Sequence, residues 1–246
     1  MLSQFYHFPV FCRLRTFARR TGVLSILKKL RYSSQREYET AFHSALEKAV
    51  RPGDVIWDIG ANVGLYTRLF LTWSAPNGSV IAFEPFPPTF EILKGEITSG
   101  ETGGRVKLEQ VALSARRGKA KFEVGRDKNG QLVSTTAHLA EDSSSGGHYI
   151  EVEVDTVDGI RKEKSFPVPN IVKIDVEGFE EDVLRGGAAT FGHPTCRHVL
   201  VEVHFGRIDE RGMGSAAGRI VRMLRDWGYA IQWVDASHLH GKKCSR

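Results

Sequence analysis

No apolar run in the chain approaches the ~18 residues that a membrane-spanning helix needs. Cysteine is scarce: Cys12, Cys196 and Cys244 are the only three in 246 residues. Their scatter gives neither a zinc-ligand spacing nor a disulfide framework, which suits a reducing compartment. The glycine signature of dinucleotide sites, G-x-G-x-x-G, is missing, and so is the lysine–serine/threonine ending of a P-loop. Acidic residues are absent from the first 36 positions, which hold eight basic ones: Arg13, Arg15, Arg19, Arg20, Lys28, Lys29, Arg31 and Arg36. Taking those eight from the 34 basic residues leaves 26 against 29 acidic, a net charge of −3. The body of the chain is therefore mildly acidic, although the whole carries +5. That balance argues against a broadly basic nucleic-acid surface, and no nucleic-acid partner is expected.

The basic leader lacks the compact apolar core and small-residue cleavage site of a secretory signal. Three readings of it stay open: a solvated helical arm, weak contact with an anionic membrane surface, or organellar targeting. The location expected is cytoplasmic, with peripheral membrane contact left open. Division into a basic helical arm over 1–50 and a main domain over 51–246 is expected.

The chain is 41% hydrophobic and 26% charged, a balance that supports a packed core and argues against disorder. Residues 36–50, "REYETAFHSALEKAV", place Tyr38, Phe42, Ala45, Leu46 and Ala49 on one helical stripe. "VIWDIG" reads as a strand buried on both faces, "LYTRLFLTW" as a helix and "SVIAFEP" as a second strand. "PTFEILKGEI" continues as a helix and "RVKLEQVALS" as a third strand. "GKAKFEVG" and "HYIEVEVDTV" then alternate apolar and polar residues, the pattern of a half-exposed antiparallel insertion. "EDSSSGG" between them reads as a mobile loop. "NIVKIDVEG" and "RHVLVEVHF" are buried strands separated by the helix "FEEDVLRGG". "SAAGRIVRMLRDWG" is a helix and "YAIQWVD" a last strand. Such alternation predicts an α/β fold with a doubly wound, mostly parallel sheet.

Ligands of such sheets bind beyond the carboxyl ends of the strands. There the segment "DIGANVG" puts Gly60 and Gly64 about Asn62, residue types that tolerate positive φ and close approach of a ligand. Glu84 ends the second strand, 26 residues after Asp58, where a carboxylate can accept bonds from both hydroxyls of a ribose. An adenosine cofactor without a pyrophosphate needs no more than this turn and this acid. S-adenosylmethionine is one.

"DIGANVGLYT", "AFEP", "VALS" followed by a glycine, "VKIDVEGFEEDVLRGG" and "VEVH" resemble, in this order, the FkbM-type methyltransferases. The resemblance covers roughly Arg51 to Asp235. It implies a class I, Rossmann-like, S-adenosylmethionine-dependent fold and O-methylation of a hydroxyl on a sugar, glycolipid or secondary metabolite. It also implies that Asp58, Gly60, Asn62 and Gly64 surround the methionine end of the cofactor, that Glu84 holds the ribose, and that Gln110, Val111 and Ala112 approach the adenine. A seventh strand is normal in this class, and "HLHGKKCSR" is a poor candidate for it, so a truncated or irregular edge is expected.

Lys173 and Asp175 share a face of one strand, with Glu177 at its mouth. A Lys173–Asp175 brace is one reading, and orientation or deprotonation of a substrate hydroxyl by Asp175 and Glu177 is the other. His204, with Glu202 before it, ends the next strand, where an imidazole of ordinary pKa suits a general base. Asp175, Glu177, Glu202 and His204 could also hold a hard divalent cation, although no metal is assigned. Asp175, Glu177 and His204 are thus the candidate catalytic residues. A nicotinamide-dependent oxidoreductase and a non-enzymatic adenosine-binding or membrane-associated scaffold remain as alternatives.

Overall fold

A computed structural model describes residues 34–98, 104–126, 132–140 and 148–244. The basic leader up to residue 33 and the "EDSSSGG" loop lie outside the described residues.

Seven strands form the main sheet: β1 (Val55–Ile59), β2 (Ser79–Phe83), β3 (Val106–Glu109), β8 (Ile171–Ile174), β9 (His198–Glu202), β10 (Tyr229–Trp233) and β11 (His238–Lys243). Their order is β10-β11-β9-β8-β1-β2-β3. Only β11 runs against the direction of the other six strands. The strands alternate cleanly between two cores. Ile56, Val80, Ala82, Ile171 and Leu200 pack with α1 (Ser34–Ala49), α2 (Leu65–Trp73) and α3 (Pro87–Thr98) through Phe42, Leu46, Phe70, Leu71, Leu93 and Ile97. Trp57, Ile81, Phe83, Val172, Ile174, Val199 and Val201 pack on the other face. There they meet α4 (Val157–Glu163), α5 (Glu180–Gly186), α6 (Ala188–Gly192), α7 (Phe205–Glu210) and α8 (Ala216–Asp226), through Ile160, Val183, Leu184, Phe191, Ile208, Ile220 and Leu224. Each such side chain contributes roughly 1.5–3 kcal/mol by leaving water. Helices on both faces of a mostly parallel sheet are the doubly wound architecture.

Phe42, Leu46 and Ala49 lie on the arm side of the boundary expected at 50, yet they belong to the first of these cores.

A second sheet has the order β4-β7-β5-β6, built from β4 (Ala112–Leu113), β5 (Gly118–Arg126), β6 (Leu132–Ala140) and β7 (His148–Asp155). It is the antiparallel insertion, with β5 paired to both β6 and β7. Two expectations need correction here. "RVKLEQVALS" is not one strand: it leaves the main sheet after Glu109, turns at the exposed Gln110, and joins the second sheet as β4 beside β7. The sequence reading also passes over β6, because "LVSTTAHLA" shows no clean alternation.

The edge of the main sheet needs correction too. "HLHGKK" is β11, a seventh strand lying between β9 and β10 and bonded to both. Its residues form a poor strand in isolation, but here two neighbours satisfy its backbone, and His238, Leu239 and Gly241 are buried.

Candidate active site

The strand order reverses between β1 and β8, so the crevice at their carboxyl ends is the expected ligand site. A cleft opens there with about 750 Å³ of empty space, counting its mouth. Gly60, Asn62, Glu84, Val111, Ala112, Asp175 and Glu177 line it, joined by Phe83, Phe122 and Phe179.

The turn after β1 is held from three sides. The Gly60 and Ala61 N–H groups both donate to the Phe83 carbonyl at 3.0 Å. Gly60 has φ +77°, and a Cβ there would lie 1.8 Å from the carbonyl oxygen of Asp175. Only glycine lets the turn approach the end of β8 so closely. Gly64, at φ +89°, caps α2 and packs against Leu93. From below, the Lys173 ammonium donates to the Gly60 carbonyl at 2.8 Å. It stands 3.3 Å from Asp58 and 3.4 Å from Asp175. Burial disfavours its charge, but the two carboxylates outweigh that and raise its pKa. Asp58 also accepts from the Thr67 hydroxyl at 2.7 Å and is wholly buried. Asp58 and Lys173 therefore form the floor of the turn, while Gly60 and Asn62 form its surface.

Glu84 is 7% exposed and accepts from the backbone N–H groups of Asn62 at 3.0 Å and Phe86 at 2.9 Å. Burial raises its pKa to about 7 even though both bonds favour the charged form. The apolar side of the cleft comes from the insertion. Phe122 of β5 stacks on Phe86 with centroids 5.9 Å apart, in a cluster with Ala112, Val152, Val154 and Phe179. Sequence reasoning missed Phe122, Phe86 and Phe179. The alternation in "GKAKFEVG" puts Phe122 on the apolar face of a strand but does not say what that face meets. Of the residues assigned to the adenine, Val111 and Ala112 line the cleft, whereas Gln110 is exposed and does not.

Asp175, Glu177 and His204 come together beside this cleft. Glu177 has φ +53°, a left-handed conformation that costs a non-glycine residue energy and is characteristic of functional sites. The His204 Nδ1 is 2.8 Å from Glu180 Oε1. Its Nε2 faces Glu177 at 3.6 Å, Asp175 at 3.7 Å and Glu202 at 3.8 Å. Burial opposes a charge on the ring, but the Glu180 bond and the surrounding carboxylates prevail and push its pKa up to about 10. The ring thus holds its proton across the neutral range. The expectation of an imidazole poised near pH 6.5 as a general base does not fit this environment. Glu180, fully buried as the first residue of α5, was the decisive residue the sequence reading overlooked. Burial raises the Glu177 pKa, opposed by His204 and Arg207. The donor atoms of Asp175, Glu202 and His204 lie within 4.8 Å of one another, and His204 and Lys173 supply positive charge among them.

Among the described residues no helix is long and apolar enough to cross a membrane.

Comparison with known proteins gives four findings. Residues 58–231 match the family described as the methyltransferase FkbM domain. The chain is 31% identical over 200 residues to the hexuronic acid methyltransferase AglP of Haloferax volcanii, covering 80% of this chain and 75% of that one. It is 29% identical over 205 residues to the 31-O-demethyl-FK506 methyltransferase FkbM of Streptomyces tacrolimicus, covering 74% and 75%. Among solved structures, an FkbM methyltransferase from Methylobacillus flagellatus superposes with a TM-score of 0.52 at 14% identity, over 77% of this chain. The match spans only 43% of that protein, so the likeness is one of fold with part of it.

Proposed function

The chain belongs to the FkbM methyltransferase family and is a methyltransferase, and on that premise we propose that it moves a methyl group from S-adenosylmethionine to a hydroxyl of a sugar, glycolipid or secondary metabolite. The observation that carries this reading is the continuity of the cleft. One lined space joins the glycine turn and Glu84 to Asp175 and Glu177.

The residues fit an adenosine-bearing donor. Glu84 offers a buried carboxylate to ribose hydroxyls, and Val111, Ala112 and Phe122 offer an apolar slot to a base. Gly60 and Asn62 leave the turn open to the amino-acid end. When bound, the donor supplies a methyl group on a positively charged sulfur, which is a good leaving group. The protein has to align the acceptor oxygen, exclude water and take a proton.

Glu177 suits the last task. It lines the cleft, is half-exposed, and burial lifts its pKa toward the working range of a general base. His204 serves as a fixed cation between Glu177 and Asp175 and holds both carboxylates in place. Asp175, steadied by Lys173, orients the hydroxyl. The hexuronic acid methyltransferase, the 31-O-demethyl-FK506 methyltransferase and a 2-O-methyltransferase, NoeI, of Sinorhizobium fredii, 30% identical over 156 residues, support an oxygen acceptor on a small hydroxylated molecule.

The test is a donor-consumption screen over sugars, glycolipids and polyketides, with product mass measured. A product heavier by one methylene, stable to conditions that cleave esters, is expected. Binding of the donor with no turnover on any hydroxylated acceptor, or methylation confined to amines, would overturn the reading.

A further inference from the structure

Outside the groups used above, one polar chain ends beside Asp175, at the margin of the cleft. It starts in the loop between β10 and β11. Asp235 accepts from the backbone N–H groups of Ser237 and His238, both at 2.9 Å, and its other oxygen meets His238 Nδ1 at 2.7 Å. Three bonds fix that carboxylate, and it fixes the ring. His238 Nε2 then stands 3.4 Å from Glu202 Oε2, and Glu202 Oε1 stands 3.8 Å from His204 Nε2. Phe42 of α1 stacks on the His238 ring at 4.0 Å and 19°. His238 is 3% exposed, whereas the Glu202 side chain keeps 28% of its surface open.

The register explains the arrangement. β11 runs antiparallel to β9 with His238 opposite Glu202, so the seventh strand delivers its first side chain to the last residue of β9. A carboxylate held from behind by a buried ring, and open in front beside Asp175, is built to accept a hydrogen bond. Asp175 and Glu177 already address the reacting hydroxyl. A second carboxylate next to them addresses a neighbouring one.

We infer that Glu202 binds a second hydroxyl of the acceptor, adjacent to the one methylated, and that His238 is the residue that positions Glu202. This rests on the methyl-transfer reading above and adds a specificity to it: the acceptor is a polyhydroxylated ring. A site built to bond a hydroxyl discriminates strongly against the analogue that lacks it.

The experiment uses the full chain, the acceptor on which the wild type turns over, and that acceptor's analogue deoxygenated at the neighbouring position. Glu202→Gln should raise the acceptor KM about tenfold, the effect of one charge-assisted hydrogen bond, and leave donor affinity within about twofold. Deoxygenation should cost the wild type a similar factor and the variant little. His238→Gln should shift the acceptor KM in the same direction. Glu202→Gln/His238→Gln together should be no worse in KM than Glu202→Gln alone, because His238 acts through Glu202. Additive losses would reduce His238 to a structural residue, and an unchanged KM in Glu202→Gln would remove Glu202 from the acceptor site. Should His238→Gln fail to fold, Glu202→Gln still decides by ¹⁵N spectra of the histidine rings without acceptor. His204 and His238 should both shift while the His198–His240 pair, in contact at 2.9 Å, stays put. Unmoved His204 and His238 signals would refute the chain even in an active enzyme. A wild type that methylates no hydroxyl would instead refute the reading on which this one stands.

Discussion

At Glu84, burial pulls against two backbone N–H groups, and burial prevails. With a pKa near 7, the carboxylate is about nine-tenths protonated one unit lower and loses acceptor capacity toward a ribose. Donor affinity is therefore expected to weaken about tenfold between pH 8 and pH 6, since only the ionised fraction is competent. Calorimetry across that range checks it, and a flat profile would place the ribose elsewhere. His204 works in the opposite sense. Its folded pKa, about 10, lies above the ordinary 6.5. Its contribution to stability is thus full below about pH 6.5 and is lost as pH rises through 10. His204→Gln removes that contribution. The melting-temperature gap between wild type and His204→Gln should be largest near pH 6.5 and close by pH 10. A gap independent of pH would mean that the ring is neutral when folded.

Among the elements, the glycine turn and the two flanking strands form one unit. Gly60→Ala would drive a methyl group into the Asp175 carbonyl, 1.8 Å away, from a positive φ. Part of that strain relaxes only if β1 and β8 separate at their mouths, which also displaces the Lys173 bond to the Gly60 carbonyl. A loss on the order of 2–3 kcal/mol is expected, from backbone strain and disrupted buried polar contacts together. Denaturant unfolding of Gly60→Ala measures it, and a loss below about 0.5 kcal/mol would show that the turn has slack. The second sheet plays a different part. Its Phe122 is a wall of the cleft rather than a decoration of the α/β body, so the insertion and the main sheet share one site. β11 contributes differently: its first residue, His238, lies opposite Glu202 at the end of β9.

For the whole molecule, the uneven charge has one consequence that solution work can reach. Residues 1–33 carry seven basic and no acidic side chains, while the rest of the chain is near neutral. Attraction to anionic lipid is worth on the order of 1 kcal/mol per basic residue near the surface and is screened over a Debye length. The full chain is expected to float with phosphatidylserine vesicles at low salt and to release at high salt, and a chain starting at Ser34 should stay behind. Equal behaviour of the two would end the idea. What the sequence determined by itself is the local part of the design. Gly60, Asn62, Gly64 and Glu84 were legible because a turn's conformation and a strand's end are set within a few residues. The two-faced burial of β1, β2, β8 and β9 was legible because apolar runs of that length have little else to form. Asp175 and Glu177 could be named as a polar pair at a strand mouth. Tertiary structure decided the rest. The protonation of His204 depends on Glu180, 24 positions earlier, and on carboxylates from two strands. The wall of the cleft depends on Phe122 arriving from an inserted sheet. β11 is a strand because β9 and β10 leave a slot whose backbone groups must be paired, a demand that no periodicity in "HLHGKK" records.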